Sequence, residues 1–135
     1  MVPEIIKPKE KRIPPKAAVA MLERTKERMR IAIAGLERGQ LSVANRWSYD
    51  AIIGIMRACV LAEGKNVAHR DELFQIFKSD FLRSGIFPPN LESKIAYALD
   101  LHLGTEEEDY YLLTIEQLHT AMDLLRNAED YMNYN

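Results

Sequence analysis

Four polar residues stand out because their spacing puts them on one side of a helix. Arg46, Tyr49, Asp50 and Arg57 fall at i, i+3, i+4 and i+11, positions that share a helical face. Two guanidinium groups can fork onto an oxyanion, and a phenol ring offers a stacking surface, so this edge suits a phosphate or a base. A plainer alternative is an ion pair between Arg46 and Asp50, with Tyr49 and Arg57 bordering a helix interface. The histidines are His69, His102 and His119, and Glu116-x-x-His119 has the spacing used in helical di-iron sites. Such a site needs a second copy of that motif, which is absent, so no metal or other cofactor is expected. His69 reads as a polar contact where a helix begins. The acidic run Glu106–Asp109 reads as solvated rather than as a Mg²⁺ site. No phosphate-binding glycine loop or nucleophile elbow is present, and hydrolase chemistry of those kinds is excluded.

The elements that position these residues are helical throughout. Gly39, Gly64, Gly85 and Gly104 each follow a helix-like stretch where a left-handed cap is expected. The first helix is expected over about Pro15 to Arg38, with Val19, Leu22, Met29, Ile33 and Leu36 inward. The second runs from an N-cap at Ser42 to Glu63; between Ala51 and Ala62 its only charge is Arg57, so it must be covered on nearly every side. Trp47 reads as an anchor in the core or at a subunit contact. A third helix, about Arg70 to Ser84, turns Leu73, Phe74, Phe77 and Phe81 inward. Pro88-Pro89-Asn90 introduces a fourth with Leu91, Ile95, Leu99 and Leu103. Thr114-Ile115-Glu116-Gln117 fits a capping box for a fifth, with the stripe Ile115, Leu118, Met122 and Leu125. Tyr110 to Thr114 reads as loop. The expected fold is all-α: an up-and-down four-helix bundle with one additional short helix, over 15–135. Residues 1–14, rich in proline and lysine, read as an extended N-terminal arm.

With 135 residues, 47% hydrophobic and 28% charged, the chain has room for one well-packed domain, and a net charge of −2 calls for neither nucleic acid nor membrane. Charge is nonetheless uneven, basic before residue 39 and acidic after residue 103. If the first and last helices lie side by side, these halves complement each other. The single Cys59 sits in an apolar run, which reads as a buried thiol in a reducing compartment. With no apolar stretch of membrane-spanning length, a cytoplasmic protein without membrane contact is expected.

Three blocks together resemble the minimal prokaryotic HEPN domains (higher eukaryotes and prokaryotes nucleotide-binding). The first is Ser48-Tyr49-Asp50-Ala51, leading through apolar residues to Arg57-Ala58 and Gly64. The second is His69, then Phe77, Phe81, Gly85 and Ile86. The third is Asp109-Tyr110 ahead of the last helix. The resemblance implies a helical bundle that forms a homodimer and binds a nucleotide, RNA or a protein partner. That partner is often a small nucleotidyltransferase in a toxin–antitoxin pair. It carries over Tyr49, Arg57, His69, Asp109 and Tyr110 as motif positions. Active members cut RNA with an Arg and a His a few residues apart, His moving protons and Arg stabilising phosphate charge. No such pair exists here; where related chains keep an Arg before Asp-Tyr, this one reads Asp100-Leu101-His102-Leu103-Gly104-Thr105. The expected function is therefore that of a non-catalytic binding module. The alternatives are a degenerate ribonuclease using His102 or His69 with Arg57, and a purely structural dimer.

Overall fold

A computed structural model describes residues 15–101 and 107–132, with the side chains of 101 and 107–109 outside that description. The N-terminal arm, His102, Leu103 and Gly104 lie outside the described residues. Among those described, five α-helices account for the structure and no strand occurs: α1 Lys16–Glu37, α2 Leu41–Ala62, α3 Arg70–Phe77, α4 Leu91–Leu101 and α5 Glu107–Met132. A π turn, Lys78–Leu82, continues α3. The all-α bundle is as expected, and no described helix is long and apolar enough to cross a membrane.

α2 is the centre. Ala51, Ile52, Ile55, Met56, Ala58 and Cys59 are fully buried along it, and it packs against α1, α3, α4 and α5. α1 runs antiparallel to it, since Gly35 abuts Val43 and Ala44 while Gly54 abuts Thr25 and Arg28. The connection is tight. Gly39 has φ +75 and Gly64 has φ +88. Each lets the helix before it close with paired bonds: Gly39 N to Leu36 O and Gln40 N to Gly35 O, then Gly64 N to Leu61 O and Lys65 N to Val60 O. Because Gln40 both closes α1 and opens α2, the latter begins at Leu41 without a side-chain cap, not at Ser42.

On α1, Leu22 and Met29 are buried and Ile33 and Leu36 pack against the core as expected, but the inward face is not the whole of the expected stripe. Val19 is 41% exposed, and the buried positions are Ala18, Leu22, Thr25, Met29, Ala32 and Gly35. Small residues fill this face because the two backbones approach closely. Trp47 is partly buried and packs against the core.

α5 corrects two expectations. Tyr110–Thr114 is helix rather than loop, and Thr114 and Gln117 do not cap it. Both are buried inside the bundle. Asn45 Nδ2 donates to Thr114 Oγ1 at 3.1 Å, and Gln117 Nε2 donates to Asn45 O at 2.7 Å and to Ser48 Oγ at 2.9 Å. Their pairing in ascending order makes α5 run in the same sense as α2. It also rotates the helix relative to the apolar stripe, leaving Met122 39% exposed. These side chains go inside because each finds a hydrogen-bonding partner there, with Gln117 Oε1 alone left without one among the described residues.

α5 lies antiparallel to α1, joined by Lys26 Nζ to Glu129 Oε2 at 3.0 Å. This is the expected complement of basic and acidic ends. At the far end, Phe77 stacks on Phe81 (5.1 Å, 14°), with Phe87 and Tyr131 edge-on against them. The predicted helix from Arg70 to Ser84 is broken by the π turn, where Arg83 N bonds Lys78 O. Leu73, Phe74, Phe77 and Phe81 still point inward, as do Leu91, Ile95 and Leu99 of α4.

Candidate functional site at the α2–α3 junction

The polar edge of α2 meets the segment leading into α3. After Gly64 the chain doubles back along α2, so that residues 65–69 lie beside it and α3 begins near Tyr49. Two side chains fix that return. Arg57 Nη2 donates to the carbonyl of Ala68 at 3.3 Å, and Arg70 Nη1 donates to the buried Tyr49 hydroxyl at 2.8 Å. The Tyr49 hydrogen bond first, then the neighbouring Asp71 carboxylate, hold the Arg70 guanidinium above its ordinary pKa despite some loss of hydration. Arg70 also pairs with Asp71 at 3.1 Å.

His69 occupies the N-cap position of α3, with extended backbone, no side-chain cap bond, and an exposed ring. It sits between Ala68 and Arg70, the two residues that α2 holds. Tyr49, Arg57 and His69 are thus brought to one region, together with Arg70. Arg46 is exposed one turn before this group and Asp50 is half-buried. Among the described residues no ion pair joins Arg46 to Asp50, but Tyr49 and Arg57 do border the contact with the segment entering α3, the other half of that plainer alternative.

His102 is outside the described residues, as is the side chain of Asp109. Tyr110 lies one turn before Thr114 and therefore level with the start of α2. That is on the order of 24 Å along the helix from Arg57, at 1.5 Å per residue. Tyr110 is half-buried, and burial raises its pKa. The Asp109-Tyr110 block also lies inside α5 rather than ahead of it.

Arg70 is the residue that pattern reading passed over. Its signal was local: a cation in the first turn of a helix opposes the helix dipole, so an arginine there calls for a partner. That partner is Tyr49.

Chemically, the junction offers two guanidinium groups and an exposed imidazole on a rigid base. Each guanidinium carries five N–H donors; Arg57 commits one to the Ala68 carbonyl and keeps the rest for an oxyanion, whereas Arg70, bonded to both Tyr49 and Asp71, keeps fewer. Elsewhere, Cys59 is fully buried, and desolvation pushes its thiol far above the ordinary range, which makes it an inert core residue. Among the described residues no three His, Cys, Asp or Glu side chains are placed to hold a metal; Glu116 and His119 line an outer groove between α4 and α5 instead.

No family model matches this sequence, no curated protein matches it, and no solved structure matches its fold.

Proposed function

We propose that the chain is a non-catalytic HEPN-type helical module that binds a phosphate-bearing ligand, a nucleotide or the backbone of an RNA, at the α2–α3 junction. The observation that carries this reading is the pair of contacts, Arg57 to Ala68 and Arg70 to Tyr49, which ties to α2 the two residues that flank His69 in the chain. Calorimetric titration of the purified protein with ATP and with a short single-stranded RNA tests it. Binding should weaken at least tenfold in His69→Ala and Arg70→Lys, with melting curves confirming that both variants fold. Absence of binding by the parent, or equal binding by both variants, rejects the site.

A ribonuclease reading has one observation in its favour. Arg57 bonds the carbonyl of Ala68, the residue immediately preceding His69, although Arg57 and His69 are twelve residues apart in sequence. RNA cleavage by the parent that disappears in His69→Ala would support it; intact RNA in both ends it.

The homodimer is part of the same proposal, and α5 is the surface that supports it. Leu112 (64% exposed), Glu116, His119, Asp123 and Arg126 recur at alternating i+4 and i+3 steps, forming one outward strip. An antiparallel two-fold pairing centred on position 121 sets Glu116 against Arg126 of a second copy and His119 against Asp123, so the strip is self-complementary in charge. Charge reversal tests this directly. Glu116→Arg and Arg126→Glu should each be monomeric by light scattering, and mixing the two should give a heterodimer. A monomeric parent, or dimers in both single variants, rejects this interface. The nucleotidyltransferase partner that the resemblance implies is tested separately, by co-purification with such a protein encoded alongside.

A further inference from the structure

The buried polar ladder between α2 and α5 ends on an acceptor that no described side chain satisfies. Gln117 is 1% exposed. Its Nε2 is committed to α2, donating to Asn45 O and Ser48 Oγ. The alternative orientation of the amide would set Oε1 against the Asn45 carbonyl, two acceptors face to face, so the assignment is fixed by the network itself. Oε1 therefore turns away from α2, and it has no hydrogen-bond partner among the described residues. A buried carbonyl oxygen is rarely left in that condition, because dehydration without a donor destabilises the fold.

Gln117 also lines a cleft of about 30 Å³ between α4 and α5, together with Lys94, Tyr97, Ala98, Glu116 and Thr120. A polar cavity needs only about 10–15 Å³ to admit a water. Its walls carry further groups able to hold a small donor. Thr120 Oγ1, which donates to Glu116 O at 3.0 Å, retains acceptor capacity, and Lys94, Tyr97 and Glu116 close the outer side. The cleft opens into a larger groove of about 320 Å³ that shares Lys94, Glu116 and Thr120 with it. That groove gives a small molecule a route in from solvent.

We propose that this cleft is a binding site for one water-sized hydrogen-bond donor, held against Gln117 Oε1 and bridging α4 to the α2–α5 ladder. At about 10–15 Å³ per water the cleft has room for no more than two or so water-sized groups, and a group without an N–H or O–H does not answer the unsatisfied oxygen. Two species share this chemistry, water and ammonium. The proposal is independent of the HEPN reading, which concerns the opposite flank of α2.

The test is a high-resolution crystal structure of the full chain, together with solution spectra that detect long-lived water near labelled side-chain amides. The expected result is a density peak within hydrogen-bond distance of Gln117 Oε1, and a water cross-peak to the Gln117 amide protons. Melting curves in ammonium chloride and in sodium chloride distinguish the occupant. Coincident curves with the cross-peak identify water, and a melting temperature that rises only with ammonium identifies the cation. An Oε1 without any density peak, or one bonded directly by Lys94 or Tyr97, overturns the site. A second variant guards against ambiguity: Ala98→Ser places a hydroxyl on the α4 wall, and it should remove the peak while the protein stays folded. Persistence of the cross-peak in Ala98→Ser also overturns the assignment.

Discussion

Where α1 meets α2, space is closed by removing side chains; where α3, α4 and the end of α5 meet, it is closed by adding rings. On the first side, Gly35, Gly54, Ala18, Ala32, Ala51 and Ala58 bring two backbones together. On the second, Phe77, Phe81, Phe87 and Tyr131 interlock at ring separations between 5.1 and 5.6 Å for the closest pairs. Both regions are buried. They differ in how they tolerate change: a ring cluster is damaged by subtraction and a close seam by addition. Periodicity of large apolar residues reads the ring cluster well and the seam poorly, for the same reason.

The largest expected effect comes from subtracting a ring. Phe81 is fully buried and touches three other aromatic rings, so Phe81→Ala should cost about 3–5 kcal/mol, measured by urea unfolding. A loss under ~1 kcal/mol would mean that the cluster collapses around the gap and that the contrast is overstated.

Adding one methyl to the seam comes next, and here the sign decides. In an open helix, Gly→Ala stabilises by about 1 kcal/mol. At Gly54 a Cβ would stand 2.5 Å from Thr25 Oγ1, so Gly54→Ala should instead destabilise by about 1–3 kcal/mol. Thr25→Ala in the same chain should recover most of that loss in a double-mutant cycle. Stabilisation by Gly54→Ala alone would show that the seam has slack.

The smallest effect lies at the rim joining the regions. The Glu129 hydrogen bond raises the Lys26 pKa above 10.5, against a desolvation that lowers it. A raised folded-state pKa gives stability that is full below the unfolded value and lost as pH climbs through the folded one. The parent should therefore lose stability above about pH 10.5 more steeply than Glu129→Gln, by under ~1 kcal/mol for a pair still partly exposed to solvent. Parallel alkaline curves would remove this contact from the account.

Much of the bundle was legible because its signals are local. Gly39 and Gly64 end helices by a backbone geometry that few residues but glycine adopt readily, and the inward positions of α3 and α4 follow from large apolar side chains at helical spacing. The start of α5 was misread for a physical reason. Thr114 and Gln117 match a capping box in type and spacing, yet what determines their place is Asn45, nearly seventy residues earlier in the chain. A pattern within one helix carries no information about that partner. The site was legible in part for the same reason. Arg46, Tyr49 and Arg57 share a helix, so their common edge follows from spacing. The contact with Arg70 depends on the chain reversing after Gly64, which spacing alone does not specify. Asp109 and Tyr110 share a sequence block with the last helix but not a location with Arg57.

The π turn at Lys78–Leu82 sets a condition on chain length. A π turn accommodates one residue more than the α-helical repeat would, and Arg83 N bonding Lys78 O is its signature. A homologue lacking a single residue between Phe77 and Leu82 would relax to a regular helix, turning everything after it by about a quarter of a revolution. Phe87 would then leave the ring cluster unless the stretch before α4 changed in compensation. Single-residue insertions and deletions here should therefore appear in related chains only in matched pairs, with the second change falling between Arg83 and Asn90.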